Sequence, residues 1–117
     1  MYKERHELQP IDFGGLKIFD YTADLSDNKS SFAIIDVPGF CSHKTAYSKQ
    51  SDKYYYVILG EVVFTIEGKE YMLKEGDFCL IEKGKKFSYV NNSEKEARLV
   101  LVHTPNFNLE NEIFVEE

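Results

Sequence analysis

Residues 54–91 read YYYVILGEVVFTIEGKEYMLKEGDFCLIEKGKKFSYVNN, and this stretch decides the fold. Its apolar or mixed runs lie at residues 54–59, 62–66, 78–81 and 87–90. Each run is rich in β-branched and aromatic residues, is too short for a helix, and is bounded by glycine and charged residues. That pattern is typical of strands joined by tight turns. The stretch therefore predicts a meander of short antiparallel strands.

The flanking sequence continues the same pattern. Residues 11 and 13 are apolar and alternate with Asp12, and further strands are predicted at residues 16–21, 32–37 and 97–103. Residues 24–31 and 91–96 have the composition of loops, and residues 40–53 fit a loop, a strand or both. Roughly eight short strands with turn signals between them predict an all-β sandwich or barrel.

Length and charge restrict the remaining possibilities. A chain of 117 residues predicts one domain over residues 1–117, with a core at about 32–107, an N-terminal arm with strands at 1–31 and an acidic tail at 106–117. The net charge of −6 disfavours nucleic acid as a partner, because phosphate binding needs a basic face. No apolar run approaches the ~20 residues that a membrane helix needs, so no membrane partner is expected.

The cysteines and the N-terminus indicate the compartment. Cys41 and Cys79 are the only cysteines, too few for a disulfide framework, and we expect both to be reduced. Residues 1–13 are charged and contain no apolar segment of the secretory type. A cytoplasmic protein is therefore expected.

The turn residues have a spacing that resembles the second motif of the cupins. Gly76, Glu82, Gly84, Phe87 and Asn91 stand where that motif has Gly, Pro, Gly, His and Asn. The run AYSKQSDKYYYVILGE is similar to the first cupin motif, and HTPNF resembles the end of small single-domain cupins of the mannose-6-phosphate-isomerase-like type. The resemblance covers about residues 36–107. It implies an all-β antiparallel jelly-roll barrel, also called a double-stranded β-helix.

The same resemblance implies a metal held by three histidines and one glutamate, but the matching positions here are different. They are Ala46, Ser48, Lys53 and Phe87. Alanine and phenylalanine cannot coordinate, a hydroxyl is a poor ligand, and an ammonium group repels a divalent cation. We therefore expect neither a metal nor another cofactor.

A cavity that binds a small molecule is expected instead. If the cupin register holds, alternate residues of each strand face inward, which places Lys53 with Tyr55 and Phe87 with Tyr89. The register leaves open which face of residues 97–103 lines the cavity. The candidate ligand-binding residues are Ala46, Ser48, Lys53, Tyr55, Phe87, Tyr89 and His103.

The roles of the polar candidates stay open at the level of sequence. Lys53 either provides a cation in the cavity or extends to solvent, as lysines commonly do. His43 either forms an acid–base pair with Tyr47 or is an exposed loop histidine. His103 either lies at the barrel mouth or supports the turn that follows it. No catalytic residue is assigned.

Three functions compete. The first hypothesis is a metal-free degenerate cupin that binds a small molecule. The second is a metal-independent sugar isomerase or epimerase that uses acid–base residues, and the third is an inert barrel that serves as an interaction or structural subunit. Because small cupins are commonly homodimers, the resemblance implies a second copy as partner.

Overall fold

The computed structural model describes residues 1–25 and 29–115. These residues form β-strands and two 3₁₀ turns, at Arg5–Glu7 and Leu109–Asn111, and contain no α-helix. The strands are β1 (Ile11–Phe13), β2 (Leu16–Asp20), β3 (Ser31–Val37), β4 (Ser42–Ser48), β5 (Asp52–Leu59), β6 (Glu61–Ile66), β7 (Lys69–Lys74), β8 (Phe78–Ile81), β9 (Phe87–Val90), β10 (Ala97–Thr104) and β11 (Glu112–Phe114). Residues 26–28 of the predicted loop and the last two residues of the tail lie outside the described residues.

The strands form two antiparallel sheets. One sheet has six strands in the order β1-β2-β3-β10-β5-β8, and the other has five in the order β11-β4-β9-β6-β7. This arrangement confirms the all-β antiparallel jelly-roll. The two sheets face each other and are not closed into a continuous barrel.

The predicted meander is wrong in its pairings. Only β6 and β7 form a local hairpin within residues 54–91, because β5 pairs with β8 and β10 while β9 pairs with β4 and β6. At Gly60 (φ 74°) the chain turns from one sheet into the other, and a Cβ there would lie 2.9 Å from the Glu96 carbonyl oxygen. Sequence shows where the chain turns, but pairing between distant residues decides which sheet receives the next strand.

Two strands escaped prediction because their local patterns are weak. β7 has the largely polar sequence KEYMLK and buries only Leu73. β11 has three residues within a polar tail and pairs with β4 through Glu112, Ile113 and Phe114. Both are edge strands, which bury less side-chain area and therefore need fewer apolar residues than central strands.

The core lies between the inner faces of the two sheets. In β5 the buried residues include Lys53, Tyr55 and Val57, as the two-residue period predicts. In β10 the buried positions are Ala97, Leu99, Leu101 and His103, which answers the question of which face is directed inward. His103 pairs with Lys53 across the neighbouring strands. Two basic residues thus meet inside the molecule.

Asn91, the last residue of the cupin-like turn pattern, has a structural role. Its side chain is completely buried, and Nδ2 donates to the carbonyl oxygens of Val37 (3.1 Å) and Lys95 (2.7 Å). Its Oδ1 accepts from the Ser93 amide at 2.9 Å. The side-chain amide of Asn91 therefore connects the turn after β9 to the end of β3. It gives the buried backbone groups there a hydrogen-bond partner in place of water.

Candidate functional site

A cavity of about 300 Å³ lies at one end of the space between the sheets. The N-terminal strands, β3, β4, β5, β10 and the C-terminal segment enclose it. Most of its lining is aliphatic or aromatic. The polar residues in the lining are Asp20, Ser31, His43, Lys53, Tyr55, His103 and Glu112. An apolar cavity with a few convergent polar groups is the usual form of a small-molecule site.

The predicted cavity residues divide into two groups. Lys53, Tyr55 and His103 line the cavity. Ala46, Ser48, Phe87 and Tyr89 are buried in the adjoining core and are not among its lining residues. Their role in ligand binding stays a prediction.

Lys53 is buried rather than extended to solvent, which excludes the simpler of its two interpretations. The residue is 3 % exposed, and its Nζ donates to His103 Nε2 at 3.0 Å. Nζ also forms an ion pair with the Glu112 carboxylate, and it lies 5.3 Å from the centre of the Phe87 ring. Burial lowers the pKa of Lys53, and the charge and hydrogen bond of Glu112 partly offset that effect.

His103 is neutral and serves as the acceptor for Lys53. Burial, together with the nearby Lys53 charge, lowers the pKa of His103 to about 3. With Nε2 accepting from Lys53, the proton of the neutral ring belongs on Nδ1. The ring also packs edge-on against Phe107 at 5.1 Å. His103 is therefore part of the cavity wall.

His43 is not an exposed loop histidine, which was one of its two predicted roles. It lies in β4, half-buried, with its ring 5.0 Å from Phe87 and 5.1 Å from Tyr89. A register shift between residues 43 and 46 turns this part of β4 relative to β9, and a bulge of this kind re-aims a side chain. Tyr47 does not line the cavity, so the proposed acid–base pair with His43 is not assembled there.

The protonation of His43 follows from its hydrogen bond. Nδ1 lies 2.6 Å from the carbonyl oxygen of Lys44, which can only accept, so Nδ1 carries the proton. Burial lowers the pKa of His43 to about 4. The ring is therefore neutral near pH 7, and Nε2 has a lone pair available to accept a proton.

Tyr55 and Tyr89 provide hydroxyl groups that stay protonated. Their side chains are 1 % and 2 % exposed, and their rings meet edge-on at 5.7 Å. Burial raises the pKa of both phenols, so each hydroxyl can donate a hydrogen bond at neutral pH. The Tyr89 hydroxyl is buried and has no partner within the described part of the chain. A buried hydroxyl without a partner is rare and often marks a functional position.

A match to a protein-family model identifies the family of the chain. The model of the cupin domain matches residues 34–103, more than half of the sequence. The chain is a cupin. No curated protein sequence matches it.

Solved structures similar to this cupin include proteins of several kinds. Pac13, described as a nucleoside dehydratase, has a TM-score of 0.85 and 20% identity, covering 99% of this chain and 92% of its own. Structures of Streptomyces Pac13 in which a histidine is replaced by glutamine, or a tyrosine by phenylalanine, were determined with uridine. A predicted oxalate decarboxylase from Thermotoga maritima has a TM-score of 0.81 and 23% identity, covering 90% of this chain and 99% of its own. At such identities the likeness shows the fold alone.

The residues of this cupin do not fit the metal that the family implies. Ala46, Ser48, Lys53 and Phe87 occupy the expected ligand positions, and Lys53 directs an ammonium group into the region. The Ser48 hydroxyl already accepts hydrogen bonds from the amides of Gln50 (3.2 Å) and Ser51 (2.9 Å). Within residues 1–25 and 29–115, no three His, Cys, Asp or Glu side chains are placed to hold an ion.

Glu112 is a site residue that sequence reasoning missed. The acidic tail contributes Phe107, Leu109 and Phe114 to the cavity lining. Glu112 lines the cavity with them, and its side chain is 6 % exposed. The available signal was its place two residues before Phe114, because positions i and i+2 of a strand share a face.

Neither of the two cysteines forms a disulfide bond in the structure. Cys41 and Cys79 are free thiols, half-buried in the structure, and burial raises the pKa of Cys79 to about 12. Among the described residues, no helix is long and apolar enough to cross a membrane.

Proposed function

We propose that this cupin is a metal-independent acid–base enzyme that moves a proton on a small molecule held in the cavity. The observation that supports this most directly is the convergence of His43, Lys53, Tyr55 and His103 on one cavity, each with a displaced pKa. Titratable groups with perturbed pKa values gather at catalytic sites more often than elsewhere. A protein that only fills its interior would leave no such cavity.

His43 is the proposed base. Neutral at pH 7 and with Nε2 unprotonated, it removes a proton from a carbon next to a substrate carbonyl. The electron pair of the broken C–H bond moves towards the carbonyl oxygen, which Lys53 holds with an N–H donor. In an isomerisation the electron pair then takes the proton at another carbon. In a dehydration the electron pair forms a carbon–carbon double bond as the C–O bond breaks, and the departing hydroxyl group takes the proton and leaves as water.

The likeness to the nucleoside dehydratase supports the second of these outcomes. That protein shares the fold at a TM-score of 0.85, and its histidine and tyrosine variants were determined with uridine. In this cupin the Tyr89 ring contacts both the His43 ring and the Tyr55 ring. Loss of water from an uncharged hydroxy-carbonyl compound is therefore the reaction that we favour.

Replacement of His43 tests the proposal. The protein is incubated in D₂O with uncharged hydroxy-aldehydes and hydroxy-ketones, including sugars and nucleoside-derived carbonyl compounds, and proton NMR follows deuterium uptake and loss of water. His43→Asn keeps a donor near the Lys44 carbonyl but cannot accept the proton, so the rate should fall about a hundredfold or more. His6→Asn, at an exposed histidine, is the matched control. Absence of exchange with the whole panel, or full activity of His43→Asn, contradicts the proposal.

Binding without catalysis is the second candidate. Lys53 and His103 hydrogen-bond to each other, and most of the cavity lining is apolar, as in a binding protein with few reactive groups. This function gives saturable binding with no chemical change in the ligand. The D₂O experiment therefore separates the two functions.

We also propose that the protein is a cytoplasmic homodimer. The two free thiols suit a reducing compartment. Apolar side chains on the outer face of the six-stranded sheet are exposed, among them Tyr56 (45%), Ile58 (44%), Phe78 (56%) and Leu80 (41%). Large exposed apolar patches favour association. We expect sedimentation velocity to give twice the mass of 13.6 kDa, and a monomer at micromolar concentration would contradict this.

A further inference from the structure

We propose that the cavity selects uncharged ligands and rejects the phosphorylated or carboxylated forms of the same molecules. This inference deepens the proposed function, since it concerns the substrate class of the same site. It depends on which charges face the cavity and on how they are already paired.

The cavity lining holds more negative than positive charge. Its ionisable residues are Asp20, His43, Lys53, Tyr55, His103 and Glu112. The two histidines are neutral and Tyr55 stays protonated, so one ammonium group faces two carboxylates. Asp20 accepts hydrogen bonds from the amide and hydroxyl of Thr22, and within the described part of the chain it forms no salt bridge. An anionic ligand would therefore enter a site of net negative charge.

Lys53, the one cation among the described lining residues, is already neutralised. Lys53 and Glu112 form an ion pair in which their side chains are 4 % and 6 % exposed. An incoming phosphate or carboxylate would have to displace Glu112, which would then be left as a buried carboxylate without a partner. Such a loss is costly, because an unpaired charge in a protein interior keeps its desolvation penalty.

An uncharged oxygen meets no such obstacle. An ammonium group has three N–H donors, and His103 and Glu112 take two of the Lys53 donors. The third N–H is suited to a carbonyl or hydroxyl oxygen without disturbing the ion pair. Among residues 1–25 and 29–115, no arginine and no second lysine line the cavity, so a phosphate would lack the cations that usually bind it.

The apolar part of the cavity defines the other half of the ligand. The ring centres of Phe13 and Phe114 lie 5.5 Å apart, and the ring centre of His43 lies 6.4 Å from that of Phe114. Leu109 lines the cavity together with these rings. Flat or apolar groups bury well against such rings. The expected ligand thus combines a flat or apolar portion with a carbonyl or hydroxyl oxygen, and carries no net charge.

A matched pair of probes tests the charge preference. 4-Fluorobenzamide and 4-fluorobenzoate have the same ring and nearly the same shape, and differ by one negative charge at neutral pH. Fluorine NMR titrations measure the affinity of each for the wild-type protein. We expect the amide to bind at least about tenfold more tightly than the carboxylate. Equal or tighter binding of the carboxylate overturns the proposal, as does failure of both probes to bind.

Charge variants test whether the carboxylates of the cavity lining cause the preference for the uncharged probe. Asp20→Asn and Glu112→Gln each remove one negative charge from the lining, and either change should bring the two affinities closer by several-fold. Asp20→Asn leaves the Lys53–Glu112 pair intact and keeps the test valid if Glu112→Gln does not fold. Glu110→Gln makes the same charge change at an exposed residue and should leave the ratio unaltered. An unchanged ratio in Asp20→Asn overturns the proposal.

Failure of this inference and failure of the proposed function are distinguishable. Neither probe has an acidic C–H beside its carbonyl or a hydroxyl that can leave, so the titrations report binding alone. An inactive protein can show the charge preference, and an active one can lack it.

Discussion

Lowering the pH from about 6.5 to about 4 should reduce the free energy of unfolding on the order of 3 kcal/mol for each of His43 and His103. In the folded protein their pKa values lie at about 4 and about 3, below the ordinary value of 6.5. In this window the unfolded chain therefore binds protons that the folded protein does not. The state that binds more protons is favoured as pH falls. Here that state is the unfolded chain, so the stability of the folded protein decreases on acidification. Above pH 6.5 both states hold neutral imidazoles, and this contribution is constant.

Urea denaturation at a series of pH values checks this result. Each histidine should add up to about 1.4 kcal/mol per pH unit to the slope of stability against pH. His43→Asn should remove one such contribution, because asparagine does not titrate. His6→Asn, at an exposed histidine, is the matched control. A wild-type slope in His43→Asn would show that folding does not lower the pKa of His43.

The two-residue alternation in sequence was enough to identify the strands that carry the core. It identified β5 and β9 and placed Lys53 with Tyr55 on the inner face, because side chains of a strand alternate between its two faces. It did not give the order of strands in the sheets. The pairing of β5 with β10 joins residues that are distant in the chain, and no local property of either strand encodes it.

The candidate site was predictable only where regular strand geometry applies. Lys53 and His103 were both named from alternation, but their contact requires the register of β5 against β10. The inward position of His43 was not predictable, because a bulge in β4 changes which side chains turn inward. Glu112 was missed because its burial depends on a short edge strand that is stable only against β4.

Glu112→Gln should destabilise the protein by about 3–5 kcal/mol, the usual cost of removing one member of a buried ion pair. The substitution leaves the volume almost unchanged but removes the charge that offsets the burial of Lys53. Lys53→Met should cost a similar amount, since it leaves Glu112 buried without its partner. Equilibrium unfolding in urea measures both.

The double variant Lys53→Met/Glu112→Gln makes this prediction sharper. Removing both charges should recover most of the loss, because neither single variant's unpaired buried charge then remains. The exposed pair of Lys17 and Asp12 provides the matched control, and breaking it should leave stability almost unchanged. Additive losses in the double variant would contradict a direct interaction between Lys53 and Glu112.

A stable double variant also separates the two reasons for keeping charges in an apolar cavity. If the pair served stability alone, methionine and glutamine could replace it without further consequence. If Lys53 holds a ligand oxygen, the double variant should be folded yet bind 4-fluorobenzamide more weakly than wild type. The combination of recovered stability and lost affinity would show that the pair is present to place one N–H donor in the cavity.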